Sequence, residues 1–426
     1  MNNPGLTLVV VASCSLLLTM MPFIGVVGGV TLKEDGAGAF HINTSDPMSQ
    51  PVFVNGMQVD GLFETMDTLL RAFSTQQSTI DAQQSTIDAL QSTAFAQQSA
   101  IDGLCRRVEP SAKTFGQLGS QASKWADGVL GGNGLIYAAP HFASSVLIID
   151  PSTNTVDTTT ISGLGADDRK WAGGVLADNG LVYMFAASRP TMLIIDPDTN
   201  TIDITSIHSL GSGQNKWFGG VVASNGVIFG IPLSATSVLI IDPETNTADI
   251  TSMAGLASDY DKWFGGVLAD NGLIYCTPIR AASVLIINPQ SMTMDLTTIS
   301  GLGTSAKWLA GVLAGNGLIY TIPFLSASTL VIDPATNTTS QVRAVSQSSI
   351  RDWADGVLAP NGNVVGIPFD SSSVFIIDPT TNTIDTTSIN DLGGTGKWYG
   401  AVLGPNGLIY GIPHYAESVL VIDPGC

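Results

Sequence analysis

The chain has 426 residues, of which 44% are hydrophobic and 12% are charged, and its formal net charge is -19 at pH 7. This composition excludes a disordered chain, because such chains are poor in apolar residues, and the 46 glycines favour an all-β protein with many turns. The negative charge argues against nucleic acid as a partner, since phosphate backbones would repel the protein.

Residues 1–30 contain an uncharged apolar run from Leu6 to Val30, which ends shortly before the charged Lys33. Such a run is typical of a secretory signal peptide, and it is also long enough to cross a bilayer as a retained signal anchor. The Val-Ala-Ser-Cys stretch ending at Cys14 is similar to a lipoprotein box, but the apolar run continues after it. We therefore expect a secreted or extracellular-surface protein, in contact with a membrane only if this segment is retained.

Residues 31–60 are predicted as a short β-like segment, and residues 61–104 as a coiled-coil stalk. Apolar residues recur every seven residues at Met66, Phe73, Ile80, Ile87, Ala94 and Ile101, with Leu62, Leu69, Leu90 and Leu104 three residues further on in their heptads. Glutamine takes the remaining positions of the second set, at 76, 83 and 97. This seam favours self-association through a parallel coiled coil, with a trimer as the arrangement considered. The alternative is a single amphipathic helix that packs against the rest of the chain.

Residues 105–426 consist of one unit repeated seven times. The seven tryptophans of the chain are spaced by 45 or 46 residues, at Trp125, Trp171, Trp217, Trp263, Trp308, Trp353 and Trp398. Each unit, such as KWFGGVLADNGLIYCTPIRAASVLIINPQSMTMDLTTISGLG from Lys262, contains four short strand patterns separated by turn residues. Four strands per unit and seven units predict a seven-bladed β-propeller.

The repeat resembles the YVTN-type propeller repeats of surface-layer and other extracellular proteins. The resemblance is carried by GVLADNGLIY and by VLIIDPETNTADI, and the Gly-Gly pair after the tryptophan is similar to kelch repeats. It extends over about three quarters of the chain. The resemblance implies a propeller, but it implies no single function, because neither family has one.

The last unit contains the first three strand patterns but not the fourth. Residues Glu109 to Phe115 have the length and placement of the missing strand, so we expect them to complete the seventh blade and close the ring. This alignment brings Cys105 and Cys426 to the same turn and predicts a disulfide between them. Cys276 lies in a second strand and is expected to be a small buried residue.

The predicted binding surface is the face that carries the lysines before the tryptophans and the loops between second and third strands. Its lysines are Lys124, Lys170, Lys216, Lys262, Lys307 and Lys397, with Asp352 in the seventh position. They predict a cationic ring for an anion or acidic glycan, unless their stems cover each tryptophan and leave the ammonium group in water. The loop candidates are His141, Phe142, Arg280, Phe324, Phe369, His414 and Tyr415, because variable loops on a rigid scaffold often carry recognition; drift of surface loops is the alternative.

Catalytic and metal-binding residues are not evident in this sequence. His141 and His414 are too few ligands for a metal site and are interpreted as two partly exposed histidines. Asp127 and Asp355 are the two carboxylates placed two residues after a repeat tryptophan, where lactonase-like hydrolases hold a channel cation, but the other repeats have glycine or alanine there. We expect no enzyme activity, no cofactor and no metal. Sequons at Asn43 and Asn337 predict N-glycosylation, with chance matches as the alternative.

These observations together favour a secreted or cell-surface protein that binds an extracellular glycan or protein ligand. Self-association through the coiled coil would make this lectin-like or adhesive binding multivalent. One alternative is a structural component of a surface layer or extracellular appendage. The other is a propeller hydrolase with a cation in its channel.

Overall fold

The computed structural model describes residues 8–10, 30–34, 40–44, 53–54, 57–105, 109–343 and 351–425, and the side chains of residues 64–95, 97, 109–343 and 351–425. The chain divides into two compact units, Met1–Ile101 and Asp102–Cys426. The predicted signal segment lies largely outside the described residues and stays a prediction.

The first unit contains short strands followed by a long helix. Its strands are Leu8–Val10, Val30–Glu34 and Phe40–Thr44 in one antiparallel sheet, and Phe53–Val54 paired with Met57–Gln58. The helix, Val59–Cys105, has 47 residues and is therefore about 70 Å long. Within the described part of the chain, no helix is both long and apolar enough to span a membrane.

Large apolar side chains of the helix are exposed in a single chain. Met66 is 52% exposed, Phe73 67% and Ile87 47%, and all three belong to the predicted seam. Beside the seam, Gln77 donates to Asp81 and Gln84 donates to Asp88, which stabilises single helical turns. The helix is present, whereas the coiled coil needs a second helix and stays a prediction.

The second unit is a seven-bladed β-propeller, which confirms the predicted all-β fold. Each blade is a four-stranded antiparallel sheet. The first strands are Trp125–Leu130, Trp171–Leu176, Trp217–Val222, Trp263–Leu268, Trp308–Leu313, Trp353–Leu358 and Trp398–Leu403. The second strands are Ile136–Pro140, Val182–Ala186, Ile228–Pro232, Ile274–Pro278, Ile319–Pro323, Val364–Pro368 and Ile409–Pro413. The third strands are Leu147–Asp150, Leu193–Asp196, Leu239–Asp242, Leu285–Asn288, Ser328–Asp333, Phe375–Asp378 and Val419–Asp423. The outer strands of blades one to six are Thr155–Asp157, Thr201–Asp203, Thr247–Asp249, Thr293–Asp295, Thr338–Arg343 and Thr383–Asp385.

The seventh blade takes its outer strand from the beginning of the repeat region. Residues Ser111–Phe115 pair antiparallel with Val419–Asp423, so that Phe115 lies opposite Val419 and Ser111 opposite Asp423. The first strand of each blade contacts the first strand of the next, and that of blade seven contacts that of blade one. The second unit is therefore a closed ring.

The repeat tryptophans form the core between blades. All seven are at most 5% exposed, and each lies in an apolar cluster with side chains of the preceding blade, as Trp171 does with Tyr137 and Ile148. Each indole Nε1 donates to the backbone carbonyl twenty residues later, as from Trp217 to Ser237 at 2.9 Å. The regular spacing of the tryptophans thus has a packing cause.

A polar contact at the turn between the first and second strands also holds neighbouring blades together. In blade one, Asn133 Nδ2 donates to the carbonyl of Pro197 at 2.7 Å, and the Tyr137 hydroxyl donates to Asn200 Oδ1 at 2.8 Å. Asn200 has a φ of 55°, a left-handed conformation that asparagine tolerates. Asn337 has the same φ and accepts from Tyr275 at 2.7 Å, so the asparagine of this sequon has a structural role; its glycosylation stays a prediction.

Of the four cysteines, the structure describes the thiol of Cys276. Cys276 is fully buried, and burial raises the pKa of its thiol. Cys426 and the side chain of Cys105 lie outside the described residues, as do Cys14 and its surroundings. The disulfide between Cys105 and Cys426 stays a prediction.

Candidate functional site

Three sets of residues form the mouth of the central channel. Each blade contributes one residue to each set. A β-bulge after each tryptophan creates the first set. In blade three, Trp217 lies opposite Pro232 and Gly220 opposite Gly230, so two residues of the first strand face one residue of the second. A bulge of this kind changes the direction of a side chain. The residues after the tryptophans, here called the floor residues, belong to one central cluster or its edge: Ala126, Ala172, Phe218, Phe264, Leu309, Ala354 and Tyr399.

Three aromatic floor residues close the channel. The rings of Phe218 and Phe264 stack with centroids 3.9 Å apart, and the Tyr399 ring meets both edge-on at 5.7 Å. Tyr399 reaches them from blade seven, next to the small Ala126 of blade one. Burial raises the pKa of the Tyr399 hydroxyl.

The second set, the wall residues, comes from the ends of the second strands. It consists of His141, Ala187, Leu233, Ile279, Phe324, Phe369 and His414, and all seven line one cavity. Their backbones are fixed from both sides. The N–H of His141 donates to Lys124 of its own blade at 3.0 Å, and the carbonyl of His141 accepts from Lys170 of the next blade at 3.0 Å. Because the second bond recurs in all seven blades, at 2.7–3.0 Å, the wall is a rigid ring.

The third set, the rim residues, lies two positions before each tryptophan. Arg169, Asn215, Asp261, Ala306 and Arg351 of this set line the cavity, as do the neighbouring loop residues Arg280, Leu325 and Tyr415. Arg169 donates to Gln214 at 3.2 Å and Arg351 to Asp370 at 3.1 Å. The rim therefore brings guanidinium groups to a protein that is acidic overall.

Floor, wall and rim enclose a cavity of about 320 Å³, here called the central cavity. Its chemistry differs between sectors. Blades seven, one and two contribute His414, His141 and Arg169 above the small Ala126 and Ala172, whereas blades three to six contribute aliphatic and aromatic wall residues. The cavity can therefore take a ligand that has both an apolar surface and hydrogen-bonding groups.

The two histidines are neutral at neutral pH. Burial, followed by the charge of His414, lowers the pKa of His141 to about 3. Burial also lowers the pKa of His414 to about 4, although the hydrogen bond with the Trp125 carbonyl acts in the opposite direction. His414 is 8% exposed, and its Nδ1 lies 3.0 Å from the carbonyl of Trp125. Because a carbonyl can only accept, Nδ1 carries the proton and Nε2 is left as the acceptor. The His141 ring lies 6.0 Å away.

The six lysines do not form the cationic ring that the sequence predicted. They are 0–7% exposed, and their ammonium groups donate to backbone carbonyls. Lys216, for example, reaches Ala187 and Arg189 of the preceding blade at 3.3 and 2.8 Å. In five of the six repeats, Nζ lies 5.7–6.0 Å from the centre of the following tryptophan ring, but the charges are in protein rather than in the water that the alternative expected. Burial lowers the pKa of Lys216 to about 8. The lysines are inter-blade contacts, not ligand donors.

Asp127 and Asp355 directly follow the floor residues Ala126 and Ala354, and the two carboxyl groups interact electrostatically. Asp355 accepts from Gly356 and from Ala401 at 2.8 Å, and Asp127 accepts from Gly128 at 2.7 Å. Burial raises the pKa of both carboxyls, to about 6 in Asp355, and the charge of Asp355 adds to the effect on Asp127. No group of three or more His, Cys, Asp or Glu side chains suited to a metal occurs among the described residues.

The structure thus gathers part of the predicted site and adds residues that sequence reasoning missed. His141, Arg280, Phe324, Phe369, His414 and Tyr415 line the central cavity, whereas Phe142 lies beside it, 5.0 Å from the His141 ring. Arg169, Arg351 and Tyr399 were missed. Their fixed distance from each tryptophan could have identified them. The sequence-based prediction instead used the lysine that follows the rim position.

Comparisons with known proteins support the fold. No family model matches the chain, and no curated protein matches it. Virginiamycin B lyase from Staphylococcus aureus superposes with a TM-score of 0.60 at 10% identity, over 74% of this chain and 99% of that one. A catalytically inactive variant of that lyase, in which a histidine is replaced by alanine, was solved with quinupristin and gives 0.57 at 10% identity, over 74% and 99%. A structure named as the extracellular domain of a one-component system of B. thetaiotaomicron gives 0.54 at 10% identity, over 72% of this chain and 42% of that one. At these identities the likeness establishes the propeller alone, and the YVTN family is not confirmed.

Proposed function

We propose that this protein is a secreted or cell-surface binding protein that holds an extracellular ligand in its central cavity without chemical change. The observation that carries the proposal is the convergence of floor, wall and rim residues from seven blades on one cavity. The tryptophans, lysines and asparagines that hold the blades together lie elsewhere in the repeat. The cavity residues are therefore free to vary with the ligand.

The lining favours a carbohydrate ligand. Tyr399 and Tyr415 offer aromatic surface, while Arg169, Asn215 and Asp261 offer donors and acceptors for hydroxyl groups. If the ligand is a protein, a peptide side chain of similar chemistry would occupy the same cavity. The extracellular domain among the structural neighbours supports an extracellular location.

Self-association would raise the strength of binding. The exposed seam of the helix Val59–Cys105 favours a parallel oligomer, which would carry several cavities on one assembly. Linked cavities engage a repetitive surface by avidity, with each single contact remaining weak.

A glycan array with the full chain tests this function. We expect binding that is lost in Arg169→Ala and Tyr399→Ala, because both side chains line the central cavity. Arg343→Ala is the matched control, since Arg343 lies on an exposed outer strand of blade five.

Two outcomes would contradict the proposal. If neither glycans nor extracellular protein fragments bind the full chain, the cavity has no such ligand. If binding is equal in Arg169→Ala, Tyr399→Ala and Arg343→Ala, the ligand binds outside the cavity.

Catalysis at His414 is a second candidate function. Its ring is oriented by the Trp125 carbonyl, which leaves Nε2 as a neutral base at the cavity, and one structural neighbour is an inactive histidine variant. Incubation of the full chain with quinupristin, followed by chromatography, tests it. Loss of quinupristin with the wild type but not with His414→Ala would favour catalysis, and unchanged quinupristin in both would contradict this lyase-like candidate.

A further inference from the structure

A second cavity lies beside the central cavity on the propeller. It measures about 510 Å³ and is here called the side groove. The groove is lined by the connection into blade four, including Asp259 and Tyr260, and by the loop Arg280–Ser283. Arg280 also lines the central cavity, so one guanidinium group borders both.

Tyr260 gives the groove an aromatic surface that the equivalent connections lack. Its side chain is 74% exposed, more than any other large hydrophobic residue of the described propeller. It is the single Phe, Tyr or Trp in the seven sequences that connect outer strands to the following tryptophans. An exposed aromatic ring at the edge of a cavity is a stacking surface for the apolar face of a sugar.

The polar groups of the groove are balanced in charge. Arg280 Nε lies 3.7 Å from Asp261 Oδ2, with the two side chains 52% and 39% exposed, so both retain capacity for other hydrogen bonds. Asp259 adds a second carboxylate, and Ser283 and Thr304 add hydroxyls. Because Arg280 and Lys262 offset Asp259 and Asp261, the groove favours no ion of either sign, whereas the hydroxyls of a neutral sugar can both donate to the carboxylates and accept from Arg280.

We propose that the side groove and the central cavity form one extended site for a neutral oligosaccharide. One sugar stacks on Tyr260, Arg280 binds hydroxyls at the junction, and the chain continues into the central cavity. This inference rests on the proposed binding function and names its ligand class.

The test measures affinity against ligand length. The full chain is titrated calorimetrically with neutral glucose and mannose oligosaccharides of one to six units, and with galacturonate oligomers as the anionic counterpart. We expect affinity to rise with length, and Tyr260→Ala to weaken the longest neutral ligand by about two- to tenfold while leaving the shortest unchanged. Tyr260→Phe keeps the ring and should bind like the wild type, and both changes are at an exposed position that folding does not require.

The outcomes separate the two proposals. If Tyr260→Ala binds every length as the wild type does, while Tyr399→Ala loses binding, the extended site is overturned and the central-cavity function stands. If only galacturonate oligomers bind, the neutral ligand class is overturned. If no oligosaccharide binds at all, both the extended site and the carbohydrate form of the proposed function are overturned.

Discussion

The lysine before each repeat tryptophan connects two blades through its ammonium group. Lys307 Nζ lies 2.9–3.2 Å from the carbonyl oxygens of Ile279, Ala281, Gly303 and Ser305, which are enough acceptors for its three N–H donors and satisfy a buried charge without a carboxylate. The spacing of the lysines is evident in the sequence. Whether Nζ meets water or carbonyls depends on the loop of the preceding blade, which the sequence does not position.

Replacement of Lys216 by methionine should lower the free energy of unfolding. The variant keeps the stem over Trp217 but leaves the carbonyls of Ala187, Arg189 and Gly213 without this donor. We expect a loss of about 1–3 kcal/mol, measured by denaturant unfolding. Lys113→Met, at an exposed position of an outer strand, is the control and should change stability by no more than about 0.5 kcal/mol. Equal effects of the two changes would contradict the role assigned to Lys216.

At the scale of the element, the helix Val59–Cys105 follows directly from its heptads. Its predicted range of 61–104 differs by two residues at the start and one at the end, within the usual uncertainty of helix ends. The flanks of the seam hold uncharged residues, such as Gln77, Gln84, Thr79 and Thr86, so interhelical ion pairs do not contribute there. Association through this seam is therefore expected to persist in high salt.

Charges introduced into the seam should dissociate the oligomer. The double variant Ile80→Asp, Ile87→Asp places carboxylates where the helices meet, and we expect light scattering to give the mass of one chain. The control Ser78→Asp, Ser85→Asp adds the same charges on the opposite side of the helix and should retain the wild-type mass in 1 M salt. A wild-type chain that is monomeric at all concentrations would contradict the coiled coil.

At the scale of the whole molecule, the seven-bladed ring was predictable because the period of 45 or 46 residues and the turn residues determine it. The candidate site was only partly predictable. The repeat places floor, wall and rim positions, but their contacts depend on which blades become neighbours. The Tyr399 ring meets Phe218 edge-on, and His414 lies near His141, only because blade seven closes on blade one.

Closure of the ring also gives the outer strand Ser111–Phe115 a different connection to its partner strand from that of the other outer strands. Ala112 and Ala248 occupy equivalent positions, opposite Ile422 and Ile241, but Ser111–Phe115 is separated from its partner by more than 300 residues and the outer strand of blade three by a short turn. In the folded ring, Ser111–Phe115 is held to its blade by pairing alone and continues into blade one, whereas the outer strand of blade three is also tied to its partner strand by the short turn between Asp242 and Thr247. The strand Ser111–Phe115 should therefore detach more readily when its pairing is weakened.

Proline substitutions at these two positions test this difference. Each removes one backbone donor, and we expect Ala112→Pro to allow proteolysis of the 109–115 segment under native conditions while Ala248→Pro leaves its own strand resistant. Limited proteolysis with mass spectrometry measures both. Equal resistance would indicate that another link, such as the predicted disulfide between Cys105 and Cys426, retains the strand.

The three rings of cavity residues have a consequence for protein engineering. Seven blades with one floor, one wall and one rim position each give 21 positions set by the repeat, of which 17 line the central cavity, while the tryptophans, the lysines and the asparagines of the inter-blade contacts lie at other positions. A combinatorial library confined to those 21 codons would sample new pocket chemistries on an unchanged backbone. Ligand specificity could therefore be selected in this propeller without changing the residues that stabilise its fold.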